Sequence, residues 1–247
     1  ESQSDLDFFK TLSLQLDELG IYKTGRTEIL LDLCLSTNDE LDNPVCPKQL
    51  TAAVYIHDIG MALVPRYILE KPSKLTQEEF KVIQNHINAG SQMLEKMPGW
   101  EPASVIVKQH HEKYNGSGYP QGLGGESINP GSMIIALADT FYAVTNERID
   151  RSYKKSLFSA ISMINGESGE QFNPDFVLTP GNFVDFRIPG VKVQLFHGLG
   201  VEKEAHFKIR HFFDIYLTSG PFVTGRFDTL KLENKNYFDV VVIGAGI

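Results

Sequence analysis

The chain is poor in what would tie it together covalently or carry it into a membrane. It has two cysteines in 247 residues, Cys34 in an apolar helical run and Cys46 in a proline-flanked loop. That argues against a disulfide framework and for idle thiols in a reducing compartment. No window approaches the ~18 consecutive apolar residues that a membrane-spanning helix needs. Positive charge is scarce as well: 23 Lys and Arg stand against 31 Asp and Glu, a net charge of −8. A face basic enough to displace the counterions of a nucleic acid polymer is therefore not expected. A small anionic ligand stays open, because a few cations or bound metals can dominate one cleft. The Gly-x-Ser-x-Gly nucleophile elbow and the phosphate-binding P-loop are both missing, and no side-chain nucleophile is expected. The opening "ESQSDLDFFKTL" lacks the basic region and apolar run of a signal peptide. It is compatible with the cut edge of a longer protein that carries a sensory domain, and the expected compartment is the cytoplasm.

What is present is enough for a core, with 42% hydrophobic residues. In "DLDFFKTLSLQLDELG", Leu6, Phe9, Leu12, Leu16 and Leu19 recur at helical spacing and the run stops at Gly20. Thr76-Gln77-Glu78-Glu79 reads as a capped start for one helix through "EFKVIQNHINAGSQMLEKM". "RTEILLDLCLS", "QLTAAVYIHDIG", "EPASVIVKQHH", "GSMIIALADTFYAVTNE" and "SLFSAISMINGESG" are further apolar-rich helical segments. The fold expected is mainly α, a helical bundle over residues 1–177, followed by a small β-rich domain over 178–247. The second part is rich in Val, Phe, Ile and Tyr and punctuated by Gly and Pro, as in "VKVQLFHGL" and "AHFKIRHFFDIYLTSG". The closing "DVVVIGAGI" has the form of a dinucleotide-binding strand and glycine turn, but such a site needs the helix that follows. A terminal strand is expected instead. His197, His206 and His211 have no acidic or cysteine partner at ligand spacing and are expected to be structural or exposed.

The chemistry sits in the helical part. An His57-Asp58 pair closes one apolar helix, His86 lies in another, His110-His111 end a third, and Asp139 follows "MIIALA" in a fourth. A lone histidine in such a setting is usually a hydrogen-bonded core residue. The full set would require many separately satisfied buried polar groups, and a shared metal explains it better. Imidazole and carboxylate together suit iron, manganese or zinc rather than calcium. Just beyond the histidine pair, "YNGSGYP" cannot continue a helix and ends in a stiff aromatic turn.

"HDIG", "NHINAG", "HHEKYNGSGYPQGLGGESI", "IIALADTFYAVT" and "RSYKKSL" with "QFNPDFV" occur in this order with fitting gaps. Over roughly residues 20–177 they resemble the HD-GYP family of the HD-domain superfamily, bacterial phosphodiesterases of cyclic di-GMP. The resemblance implies an HD-superfamily helical bundle holding two divalent metal ions, iron or manganese first, with zinc, nickel or magnesium as alternatives. It implies metal ligation by His57, Asp58, His86, His110, His111 and Asp139, with Asp58 bridging the ions at the catalytic centre. It assigns Gly118, Tyr119 and Pro120 to the rim that holds a planar base, and Arg151 and Lys154 to the ligand's phosphates.

Two positions depart from the family pattern. Lys23 stands where the family carries the histidine of a His-x-x-Arg context, with Arg26 at the arginine position, and a protonated lysine is a poor ligand. Met61 stands where a lysine commonly follows the HD-x-Gly motif. Loss of a phosphate-stabilising cation can cost on the order of a hundredfold in rate. Two readings follow: a metal-dependent phosphodiesterase that hydrolyses cyclic di-GMP or a related cyclic dinucleotide through a metal-activated water, or a degenerate domain that binds the dinucleotide or a signalling protein partner. The Gly-Tyr-Pro loop and the β-rich tail are the surfaces such a partner would use.

Overall fold

In a computed structural model of the chain, the described residues are 2–19, 25–146, 155, 157–177 and three strands nearer the carboxyl end. Lys23, Arg151 and Lys154 lie outside them. The chain divides into two units, Glu1–Asn182 and Phe183–Ile247.

The first apolar period becomes α1 (Gln3–Glu18), which opens with a capping box between Ser2 and Asp5 and buries Leu6, Phe9 and Leu16. Leu19 lies past the last turn and is half exposed. Trp100, fully buried, meets Phe9 edge-on at 5.3 Å and donates its indole N–H to Asp5 at 2.9 Å. That pairing satisfies the one polar atom of the largest core side chain. The second helix, α2 (Arg26–Glu40), packs beside α3 (Pro47–Ile56). Proline at the first position of α3 fits a helix start, and Leu50, Ala52, Ala53, Val54, Tyr55 and Ile56 are all buried. A helix apolar around its whole circumference belongs in the centre of a bundle, and α3 contacts α1, α2 and α7.

A short 3-10 turn (Ile59–Leu63) and α4 (Arg66–Leu69) follow. Met61 is buried here with Leu16, Val64 and Ile68 in a small apolar cluster. Thr76 and Glu79 form the capping box expected from sequence, but the helix they start is not continuous. It breaks at Asn85 into α5 (Gln77–Gln84) and α6 (His86–Glu95). At this break Gly60 packs against the His86 backbone so closely that a Cβ there would meet the His86 carbonyl oxygen. α7 (Glu101–Gln109) packs on α6 and α3, and α8 (Pro130–Thr145) packs on α7 and α2. The Ser104 hydroxyl donates to the Ser91 carbonyl at 2.9 Å, which ties α7 to α6. α9 (Leu157–Gly166) lies against α8. Among the described residues, no helix is long and apolar enough to cross a membrane.

In the second unit, β1 (Val191–His197) pairs antiparallel with β2 (Val201–His206) on one side and β3 (Asp239–Gly244) on the other. The register puts His197 and His206 at opposite ends of the β1–β2 ladder. The closing "DVVVIG" is a strand. The rest of the region expected to be β-rich, His211 included, lies outside the described residues.

Candidate metal centre

The buried histidines are aimed by one local device. His57 caps α3, His86 opens α6, and His110 caps α7. Each ring turns its Nδ1 back to the carbonyl three residues earlier: Val54 at 2.7 Å, Ile83 at 2.6 Å and Val107 at 2.6 Å. A carbonyl only accepts, so Nδ1 carries the proton and Nε2 presents a lone pair. In His86 and His110 that Nε2 is buried without a hydrogen-bond partner among the described residues. An unsatisfied buried polar atom costs roughly 1–3 kcal/mol. Metal-ligating histidines are oriented in this way by a second-shell carbonyl.

These lone pairs face one carboxylate. Asp58 Oδ1 lies 3.4 Å from His86 Nε2 and 4.0 Å from His110 Nε2. One donor atom from each of Asp58, His86, His110 and His111 falls within 4.8 Å of all the others. Three imidazole nitrogens and one carboxylate oxygen at that spacing fit a divalent transition metal. The ring centroids of His110 and His111 are 4.0 Å apart, and His86 stands 5.2 Å from His111.

Such crowding disfavours charge on His110 and His111. Burial, with the neighbouring His111 and His57, holds His110 well below the usual imidazole range. Burial, then His86, pushes His111 down to about 4. Asp58 goes the other way: burial alone would favour its acid form, but His57 and Arg26 hold the carboxyl well below the usual range. His57 is raised, because Asp58 outweighs the penalty of burial. The centre thus sets an ionised Asp58 carboxylate beside the neutral rings of His110 and His111, a field that draws in a cation.

His57 and Asp139 are brought to the same place but face a different partner. Arg26, itself buried, sends one guanidinium nitrogen to Asp58 Oδ2 at 2.8 Å, Asp139 Oδ1 at 2.6 Å and His57 Nε2 at 3.3 Å. Its face lies 6.0 Å from the Tyr142 ring centre. Glu28, two residues further into the same helix, is exposed.

Beyond His111, the Gly-Tyr-Pro loop folds over the metal cluster. The Tyr119 ring stacks on His111 with centroids 4.9 Å apart and 26° between planes, and its N–H donates to the His111 carbonyl at 3.1 Å. Phe80 of α5 meets the same tyrosine edge-on at 5.9 Å. The Tyr119-Pro120 bond is cis. Gly118 admits no side chain, since a Cβ there would stand 2.3 Å from the Lys113 amide nitrogen. Glu112 is buried and its carboxylate accepts from the amides of Gln121 at 2.7 Å and Leu123 at 3.0 Å.

Sequence reasoning gave no role to Arg26 or to Glu112. The signal for Arg26 was available: a lone arginine in an apolar helix needs buried acids as partners. Glu112 could have been found as a single acid beside a loop whose many amides need acceptors.

The HD-domain family matches residues 14–176, and the chain belongs to it. Its similar proteins include cyclic dinucleotide phosphodiesterases. It is 35% identical over 126 residues to the cyclic di-GMP phosphodiesterase response regulator RpfG of Xanthomonas campestris, covering 49% of this chain and 32% of that one. A cyclic di-GMP phosphodiesterase of Thermotoga maritima is 36% identical over 133 residues, with 52% and 35% covered. A 3'3'-cGAMP-specific phosphodiesterase 1 of Vibrio cholerae is 39% identical over 134 residues, with 54% and 31% covered. The matches thus span about a third of the length of these relatives. The solved structure of a cyclic GMP-AMP-specific phosphodiesterase of Vibrio cholerae overlays on 69% of this chain and 46% of its own, with a TM-score of 0.51 at 17% identity. That overlay shows a common helical fold.

Proposed function

We propose that the chain is a metal-dependent phosphodiesterase acting on cyclic di-GMP or a related cyclic dinucleotide. The observation that carries this reading is the pair of buried, unpartnered Nε2 atoms of His86 and His110 turned toward Asp58 Oδ1. With His111 they would hold a divalent ion, manganese or iron first on their donor chemistry. When bound, such an ion supplies a Lewis acid that lowers the pKa of a water and withdraws charge from a phosphate oxygen. The chain's own residues do the rest. Asp58 stays ionised, and the second-shell carbonyls of Ile83 and Val107 orient His86 and His110 and fix their tautomers. Tyr119, backed by His111 and Phe80, offers a flat aromatic surface at the rim, where a guanine or adenine can stack. Gly118 and Pro120 shape that rim. Arg151 and Lys154 are assigned to the phosphates on the sequence pattern alone.

The test is incubation of the manganese- or iron-loaded chain with cyclic di-GMP and with 3'3'-cGAMP, separating products by chromatography. A linear dinucleotide or mononucleotide is expected, and Asp58→Ala should abolish it together with bound metal. Metal content unchanged in Asp58→Ala would put the centre elsewhere. A second reading, a cyclic dinucleotide receptor without turnover, is favoured by Met61 being buried in an apolar cluster where a phosphate-facing lysine is usual. Saturable nucleotide binding with intact metal and no product would establish it.

A further inference from the structure

The family pattern asks Asp58 to bridge two metal ions, and the geometry divides that carboxylate differently. Oδ1 faces the open lone pairs of His86 and His110, whereas Oδ2 is held by the Arg26 guanidinium at 2.8 Å. The same guanidinium nitrogen reaches Asp139 Oδ1 and His57 Nε2, the two residues that the family resemblance leaves, with Asp58, to a first ion once His86, His110 and His111 serve the second. We propose that Arg26 is a built-in cation standing at the first metal position, so that this chain holds one divalent ion where the family pattern implies two. The proposal rests on reading the cluster as an HD-GYP metal centre and concerns the number of ions it takes.

Three independent features support it. His57 uses the same second-shell carbonyl device as His86 and His110, yet its Nε2 is taken up by the Arg26–Asp58 pair, 3.3 Å from the guanidinium and 3.2 Å from Asp58 Oδ2, while theirs have no hydrogen-bond partner among the described residues. The lone pairs left open thus all lie on the Oδ1 side. Arg26 is also the first residue of α2, where the positive end of the helix dipole disfavours a cation. A guanidinium buried at that end is held by Asp58 and Asp139, and it does not shed its proton at any working pH. An ion entering beside it would meet a permanent positive charge. Finally, the charges suit one ion: two carboxylates and one guanidinium sum to minus one, and a single divalent cation brings the centre to plus one. That is the sign a phosphodiester anion needs. Sequence agrees, because Lys23 removes the histidine that would complete a first site.

Manganese titration of the full chain, followed by calorimetry and electron paramagnetic resonance, tests the count directly. Wild type should bind one equivalent and give the uncoupled six-line signal of isolated manganese. Arg26→Gln, which removes the charge, should take a second equivalent and give an exchange-coupled signal. Arg26→Lys, which keeps the charge, should stay at one. Two equivalents or a coupled signal in wild type would overturn the proposal, as would a folded Arg26→Gln that remains at one. The wild-type count stands as the test even if Arg26→Gln fails to fold. No bound manganese in wild type would defeat both this inference and the metal centre beneath it. One equivalent without turnover of any cyclic dinucleotide would defeat only the hydrolase reading.

Discussion

Replacing Gly60 with alanine asks whether the centre depends on one backbone contact. A Cβ at this position would stand 2.1 Å from the His86 carbonyl oxygen and 2.7 Å from the His86 carbonyl carbon and Cα. Ordinary contact begins near 3.4 Å, so the two segments must part by about 1.3 Å. Both sides of the clash are backbone, and no rotamer change relieves it. The segments that part carry Asp58 on one side and His86 on the other, now 3.4 Å apart at Oδ1 and Nε2. Metal sites tolerate departures of only about 0.2 Å in ligand distance. Disturbing the orientation of a single ligand costs roughly 10–100-fold in affinity. Overpacking adds a stability cost of about 1–3 kcal/mol, which for a chain of this size lowers Tm by roughly 2–12 °C. Calorimetric manganese titration and thermal melting read the two effects separately. Gly166→Ala is the control, since a Cβ at Gly166 meets nothing within 4 Å. A Gly60→Ala chain that binds manganese and melts as wild type does would refute the reasoning.

Tyr119→Ala should weaken cyclic dinucleotide affinity by about 1–3 kcal/mol, the usual worth of base–aromatic stacking, with metal content unchanged; equilibrium dialysis with metal analysis checks both. Glu112→Gln keeps size but weakens the acceptor for two loop amides, and should lower nucleotide affinity while manganese binding persists. For the metal-free chain, His111 sets a pH dependence. Its folded value of about 4 lies below the ordinary 6.5, so the unfolded chain takes up the proton first as pH falls. Stability is fully present above about pH 6.5 and is lost toward pH 4, by an amount on the order of 3 kcal/mol for this one group. A melting temperature flat across that window would contradict the assignment of a half-buried neutral ring.

Sequence and structure agree where the information is local. The His57-Asp58 and His110-His111 pairs stand out because two polar residues end an otherwise apolar helix, and each pair is found at a helix terminus. Thr76 and Glu79 announced their capping box for the same reason. The break before His86 was not legible: "IQNHIN" contains no glycine or proline, and the residue that packs on His86 there is Gly60, twenty-six positions earlier. Arg26 was hidden by distance too, since its carboxylate partners lie 32 and 113 positions away. Only the loop's return over Glu112 makes that residue a buried acceptor. Met61 announced the loss of a charge, and the apolar cluster that receives it emerges only from the packing of the 3-10 turn on α1.

The most direct measurement is anomalous diffraction from crystals of the chain grown with manganese. A peak should lie at coordination distance from Asp58 Oδ1, His86 Nε2, His110 Nε2 and the His111 ring. Crystals whose manganese sits elsewhere, with those four side chains uncoordinated, would contradict the assigned centre and every role built on it.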